Sequence, residues 1–95
     1  MIIERWTWKA KFGCKNEVIK FVKAVVEEAG LTPRVCSYVF GPYEIVTSDL
    51  EFETEQDRQE FWDEFDGNKP NITEWHKKQR DLTESEIGHD LLRMH

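Results

Sequence analysis

The chain has 95 residues, with 13 Lys and Arg against 19 Asp and Glu, a net charge of -6 and an isoelectric point near 5.0. This length fits one domain, residues 1–95, and leaves no room for a second core. The acidic balance repels phosphate backbones and anionic bilayers, so we expect neither nucleic acid nor a membrane among its partners. No basic segment leads into a long apolar run, which predicts a cytoplasmic protein.

The first segment alternates between apolar and polar side chains over residues 2–12, a period of two that predicts a strand. Gly13 ends this strand. From Asn16 the apolar residues recur every three or four positions, which predicts an amphipathic helix, and Gly30 suits the left-handed turn that ends many helices. The apolar stripe of the helix comprises Val18, Phe21, Val22, Val25, Val26 and Ala29.

The second and third strands are predicted to form a hairpin. Residues 34–40 are rich in β-branched and aromatic side chains, and Gly41 and Pro42 follow as turn residues. Residues 43–53 alternate again and form the return strand. The apolar side of that strand comprises Val46, Leu50 and Phe52.

A helix with a break is predicted next. Thr54 suits the N-cap position of this helix, and acidic residues follow it in the first turn, where the helix dipole favours them. Gly67 and Asn68 tolerate the left-handed conformation that ends a helix, and Pro70 disfavours helical geometry in the residue before it. The first helical piece is therefore expected to stop near Asp66.

A second helical piece and a closing strand complete the chain. After the polar stretch 81–86, residues 87–94 are short and apolar enough for a strand. We expect the displaced second piece to leave a gap over the sheet through which a small ligand enters. The alternative is a surface kink with nothing beneath it. The residues that mark the second piece are Ile72, Trp75, His76 and Gln79.

The order β-α-β-β-α-β predicts an α+β fold, the ferredoxin-like two-layer sandwich, with an antiparallel sheet of strand order 4-1-3-2 and both helices on one face. The helices must cover the apolar side of the strands. The residues expected on that side are Trp6, Trp8, Phe12, Val46, Leu50 and Phe52. The opposite face is expected to carry Arg5, Thr7, Lys9, Thr47, Asp49 and Glu51.

Several short motifs resemble those of NIPSNAP-like domains. Glu4-Arg5-Trp6-Thr7-Trp8 and Lys11-Phe12-Gly13 are similar to the opening strand and turn of that family. Leu50-Glu51-Phe52-Glu53-Thr54 resembles its strand-to-helix junction. Thr73-Glu74-Trp75 and Asp90-Leu91-Leu92-Arg93 resemble its closing helix and strand. The likeness spans most of the chain.

This resemblance implies the dimeric α+β barrel superfamily, whose members pack two such sheets face to face and often hold a small molecule between sheet and helices. Relatives there include cofactor-free monooxygenases, haem-degrading enzymes and proteins without an assigned activity. The chain departs from the family pattern at three positions, with Trp6 in place of an arginine, Trp8 in place of a tyrosine and Phe12 in place of a proline.

The polar sheet face is the main candidate for a ligand-binding site. Arg5 and Lys9 lie on the first strand, next to the third strand, where Asp49 and Glu51 are placed to pair with them. Two such faces closing on each other would line a cavity. The alternative is a set of ordinary cross-strand ion pairs. The candidate residues are Arg5, Thr7, Lys9, Thr47, Asp49 and His89.

Other reactive residues have plain structural explanations. His89 is a candidate general base or haem ligand, but no metal-binding spacing accompanies any histidine, and surface or capping roles explain all three, including His76 and His95. Cys14 precedes a helix, where the dipole can favour the thiolate, although no partner histidine is apparent. We therefore expect no metal and no cofactor. Core packing accounts for Trp6, Trp8, Trp62 and Trp75, with an aromatic pocket for a flat ligand as the alternative.

Two functions from different classes fit the sequence. The first is a homodimeric small-molecule-binding or structural domain, whose partners are a second copy of itself and a ligand held between the sheet and the broken second helix. The second is a cofactor-free monooxygenase-like or haem-handling enzyme that acts on a small aromatic substrate. The first is favoured because no constellation of acid, base and nucleophile stands out. The catalytic residues stay unassigned.

Overall fold

The computed structural model describes residues 1–41, 43–67 and 69–95, with backbone alone for residue 66 and residues 69–73. Four strands and three helices follow one another along the chain. They are β1 (Ile2–Ala10), α1 (Lys15–Glu28), β2 (Arg34–Ser37), β3 (Ile45–Phe52), α2 (Glu55–Asp66), α3 (Lys69–Leu82) and β4 (Thr83–Arg93). No helix in the described part of the chain is long and apolar enough to cross a membrane.

The strands form one antiparallel sheet in the order β2-β3-β1-β4, which confirms the predicted order read from the other edge. The fold is therefore the predicted α+β ferredoxin-like sandwich. β1 is a central strand, with Trp8 opposite Val46 on β3 and Trp6 opposite His89 on β4. β2 and β4 are the two edges.

The core lies between α1 and the central strands. The even-numbered residues of β1 and β3 face the helices, because successive side chains of a strand point to opposite faces. Against them α1 buries three valines, and Gly30 ends this helix at φ 84°, the left-handed turn the sequence predicts. The buried apolar core comprises Trp8, Ala10, Val18, Val22, Val26, Val46, Leu50 and Phe52.

Three element boundaries differ from the sequence predictions. β1 ends at Ala10, so the prediction that Phe12 faces the helices is wrong, and this side chain is 93% exposed in the turn before α1. β2 covers only the first half of residues 34–40, because it pairs with β3 over four residues and then leaves the sheet. β4 begins at Thr83, since the polar residues that follow pair with β1 despite their low β-propensity.

The break in the second helix is present. α2 ends at Asp66 as predicted, and α3 begins at Lys69, three residues before Ile72, where the second piece was expected. Gly67 keeps a right-handed φ of -68°, so this residue does not use the left-handed conformation that it tolerates. Asn68, predicted to lie at the helix break, and Pro42, predicted to lie in the hairpin turn, are outside the described residues.

The two sides of the helical layer pack differently. α1 has three fully buried side chains, whereas the most buried side chains described on α2 and α3 are only half-buried. Large aromatic residues fill this half of the layer, Phe61 and Trp62 from α2 and Trp75 from α3. Several of these rings also line the candidate site described below.

Candidate functional site

The predicted site residues fall on two different faces of the sheet. Five of them lie on the open face, opposite the helices, as the strand alternation requires. His89 lies on the other face, because it pairs with Trp6, whose side chain points toward the helices. His89 is therefore separated by the sheet from the other five candidate residues. The residues on the open face are Arg5, Thr7, Lys9, Thr47 and Asp49.

The open face carries cross-strand ion pairs. Arg5 donates from Nε and Nη2 to the two carboxylate oxygens of Asp49, at 2.8 and 2.9 Å, as the sequence predicts. Lys9 contacts Glu84 at 3.2 Å instead of the predicted Glu51, because Lys9 and Glu51 lie at opposite ends of the β1 and β3 ladder. These pairs are partly exposed.

A bulge in β4 explains the position of His89. The pairing of β1 with β4 shifts between Thr7, opposite Gly88, and Trp8, opposite Glu86, so that Ile87 is inserted in the strand. An inserted residue reverses which side chains face the helices. His89 and Glu86 consequently share the helix-side face although their sequence parity differs.

A buried carboxylate lies at the centre of this helix-side face. Glu4 is only 1% exposed and accepts hydrogen bonds from three side chains. Arg58 donates from Nε and Nη2 at 3.1 and 3.2 Å, and Trp62 donates its indole Nε1–H at 2.6 Å. Nε2 of His89 lies 2.5 Å from Oε2 of Glu4, the oxygen that also accepts from Nη2 of Arg58. Glu4 therefore joins β1, α2 and β4 through four contacts.

The charge state of this group follows from its partners. Burial by itself raises the pKa of Glu4, but the hydrogen bonds from Arg58, Trp62 and His89, with the positive charge of Arg58, outweigh burial and hold the pKa below its ordinary value. Glu4 is thus an anion at neutral pH. An anionic acceptor requires a proton on Nε2 of His89, so Nδ1 is the ring nitrogen that does not face Glu4.

Stacked rings surround the carboxylate. The imidazole of His89 lies 3.7 Å from the indole of Trp6, with 14° between the ring planes. Trp6 in turn stacks on Trp8 at 6.3 Å and meets Trp62 at an angle of 63°. The indole N–H of Trp62 is satisfied by Glu4, whereas those of Trp8 and Trp75 are buried without a partner among the described residues.

A cleft of about 560 Å³ opens beside these rings, between the sheet and the two halves of the broken helix. Its apolar wall is formed by Trp6 from β1, Trp62 and Phe65 from α2, and Trp75 from α3. Its polar rim comprises His76, Gln79 and Arg80 from α3 and Thr83, Glu84, Ser85 and Glu86 from β4. The cleft lies where the sequence places a gap, next to the break.

The remaining reactive residues form no further site. Cys14 is the N-cap of α1 without a side-chain hydrogen bond there, and Cys36 is exposed on β2. Both are free thiols. Within the described residues no three histidine, cysteine or carboxylate side chains cluster as metal ligands do. His76 contacts the ring of Trp75 and lines the cleft.

Sequence reasoning missed the carboxylate and most of the rim. A signal for Glu4 existed, because it shares the alternation of Trp6 and Trp8 and so places a charge on the apolar side of β1. A charge at such a position requires buried partners. Arg58 gave no comparable signal, since a single arginine on an acidic helix is typical of a solvated face.

No family model matches the sequence, and no curated protein matches it. Solved structures are similar over nearly the whole chain. A NIPSNAP domain protein from Burkholderia xenovorans has a TM-score of 0.79 at 13% identity, covering 100% of this chain and 95% of its own. A protein from Agrobacterium tumefaciens has a TM-score of 0.77 at 21% identity, and the match covers 98% of this chain and 92% of that protein.

A NIPSNAP family protein from Agrobacterium tumefaciens has a TM-score of 0.75 at 18% identity, covering 97% of this chain and 90% of its own. At these identities the likeness shows the fold and leaves function open. The resemblance read from the short motifs is therefore confirmed for the fold. The fold of this chain is therefore similar to that of NIPSNAP domains.

Proposed function

We propose that this protein binds a small molecule with an apolar, ring-sized body in the cleft between the sheet and the broken helix. The observation that carries the proposal is the cleft itself, about 560 Å³ with an aromatic wall and a polar rim. Pockets for small ligands are typically of about 300 to 1,000 Å³, mostly apolar, with a few polar groups that fix orientation. This cleft has that size and composition.

The wall of the cleft is held in place before any ligand arrives. Glu4 fixes the indole of Trp62 through a hydrogen bond, and its partner His89 stacks on Trp6. Two wall rings are thereby anchored to one buried carboxylate. A wall ordered in advance loses little conformational entropy when a ligand binds, which favours binding.

Titration with 2-naphthol, a neutral two-ring probe, tests this proposal. The indole N–H signals of Trp6, Trp62 and Trp75 should shift in ¹H–¹⁵N spectra, because these side chains line the cleft. A Gln79→Trp variant should weaken binding at least about tenfold by filling the cleft. The matched control is Gln59→Trp on the exposed side of α2. Absence of shifts, or equal binding by both variants, would contradict the proposal.

We further propose that the protein is a homodimer, joined through the open sheet face and β4. All helices lie on the other face, so the open face has no covering layer of its own. The edge strand β4 and the residue after it also expose large apolar side chains. Burying such side chains stabilises an interface. They are Ile87, Leu91, Leu92 and Met94.

Sedimentation velocity at about 50 μM, a working range for weak dimers, should give the mass of two chains. Leu92→Glu should shift the protein to monomer, because Leu92 pairs with Ile3 on the open side of the sheet and the charge would be buried at the interface. Glu53→Lys, at an exposed position after β3, serves as the control. A wild-type protein that sediments only as a monomer would contradict the dimer.

The Glu4–His89 pair favours a second candidate function, a cofactor-free monooxygenase-like enzyme. A carboxylate that orients an imidazole is a common arrangement for a general base. Here Nδ1 of His89 would take the proton from a phenolic substrate. Oxygen uptake in the presence of hydroquinones, lost in His89→Gln but kept in His76→Gln, would support the enzyme. A lack of uptake across the panel would contradict it.

A further inference from the structure

We infer that the cleft selects an organic cation, a ligand that carries a methylated ammonium head. This inference rests on the proposed binding function and names the ligand class for that site. It follows from two features of the lining, the mutual inclination of the aromatic rings and the carboxylates on the rim. Neither feature is needed to bind a neutral aromatic molecule.

The wall rings are inclined to one another like the sides of a cage. Trp62 and Phe65 meet at 86°, with 5.3 Å between ring centroids, and Phe65 and Trp75 meet at 87° and 6.3 Å. Trp6 is inclined by 63° to Trp62. Rings arranged in this way present faces and edges in several directions instead of a single flat slot. The electron-rich faces of indole and phenyl rings attract cations, and aromatic cages of this kind recognise quaternary ammonium groups.

The rim places carboxylates beside this wall. Glu86 lies opposite Trp8 in the sheet, on the helix side, and it forms no ion pair with any residue that the structure describes. Glu84 also lines the cleft, but it is paired with Lys9 of the open face at 3.2 Å. Glu86 is thus the carboxylate free to face an ammonium head. The net charge of -6 adds a field that attracts cations to the whole protein.

Arg80 is the cationic group on the rim that favours the opposite ligand. It lies in the last turn of α3, where a positive charge complements the helix dipole and the guanidinium has a role without any ligand. His76 is the remaining titratable group of the lining, and its ring is turned against Trp75. The lining therefore favours a cation, because it combines the carboxylate of Glu86, unpaired among the described residues, with three indoles, while the charge of Arg80 complements the end of its own helix.

Three probes of nearly equal shape separate charge from shape. Choline, 3,3-dimethyl-1-butanol and 3,3-dimethylbutanoate share a trimethyl head and a short chain and differ in charge. Their affinities are read from the indole N–H signals of Trp6, Trp62 and Trp75. Choline should bind about tenfold more tightly than 3,3-dimethyl-1-butanol, and 3,3-dimethylbutanoate should bind most weakly of the three.

Two variants test the role of the carboxylate. Glu86→Gln should weaken choline about fivefold and leave the neutral alcohol unchanged, because it removes charge and little volume. Glu53→Gln removes the same charge at the other end of the sheet and should leave the affinity for choline unchanged. Equal loss in both variants would mean that net charge alone attracts the cation, which would overturn the inference.

The outcomes also separate this inference from the proposed function. If 2-naphthol binds but choline binds no better than the alcohol, the cleft is a ligand site without cation selectivity, and only this inference fails. If 3,3-dimethylbutanoate binds best of the three probes, Arg80 directs the ligand and the inference is again wrong. If neither 2-naphthol nor choline shifts the three indole signals, the binding function itself fails.

Discussion

The two faces of the sheet handle charge in opposite ways, and β1 contributes to both. On the helix side, Glu4 is almost fully buried and accepts four hydrogen bonds from two elements, α2 and β4. On the open side, its neighbour Arg5 forms one bidentate pair with Asp49, and the guanidinium side chain is 42% exposed. Adjacent residues of one strand thus occupy very different environments.

This difference shows that burial, more than the presence of an ion pair, decides what a charge contributes. Water can replace Asp49 as the partner of Arg5, so the open-face pair adds little to stability. Glu4 itself is almost fully buried, so water does not readily take its place, and removing that carboxylate leaves the donors around it without their acceptor. The helix side is therefore the face on which single substitutions should have large effects.

The largest effect is expected for Trp8→Ala. Trp8 is 3% exposed and lies in the centre of the core against Val46. Deleting so large a buried side chain should lower the free energy of unfolding by about 3 to 5 kcal/mol. Urea denaturation followed by circular dichroism measures the change. A loss below about 1 kcal/mol would mean that Trp8 is not a packed core residue.

Glu4→Gln should have the next largest effect, a loss of about 2 to 4 kcal/mol. The amide keeps the shape of the side chain but no longer offers four acceptor positions, so Arg58 loses its buried charged partner and keeps only the exposed Glu55. Glu53→Gln is the matched control, because it changes an exposed carboxyl and should alter stability by less than about 0.5 kcal/mol. Equal losses in the two variants would contradict the account of the helix-side face.

The stability of wild type and of Glu4→Gln should also depend differently on pH. Because the folded pKa of Glu4 lies below its ordinary value of 4.5, ionised Glu4 stabilises the fold fully above that value. The contribution is lost as the pH falls through the folded pKa, when the carboxylate takes up a proton. The stability difference between wild type and Glu4→Gln should be constant from pH 7 to about 5 and shrink below pH 4.5. A difference that grows on acidification would contradict the assigned charge.

The sequence predicts more of the fold than of the candidate site. Alternation in the first strand and the helical stripe up to Gly30 each depend on local patterns, and these elements were predicted. The position of His89 depends on a β-bulge in which Ile87 is the extra residue, and no local sequence pattern predicts this bulge. The partners of Glu4 come from residues 54 to 85 positions away, so only the fold brings them together.

The smallest effect is expected on the open face. Arg5→Ala should lower the free energy of unfolding by no more than about 1 kcal/mol, because the pair with Asp49 is partly exposed to solvent. A double-mutant cycle with Asp49→Ala isolates the coupling between the two side chains. The cycle is measured in dilute protein, below the range in which the proposed dimer forms. A coupling above about 2 kcal/mol would mean that this face is desolvated even then.

The most direct test of the account asks which face holds the ligand. Intermolecular nuclear Overhauser effects between 2-naphthol and the protein report contacts within about 5 Å, and each face offers well-separated reporter protons. The account predicts contacts to the indole protons of Trp6, Trp62 and Trp75 on the helix side. Contacts to the methyl groups of Thr7 and Thr47 on the open face, without contacts to these indoles, would contradict it.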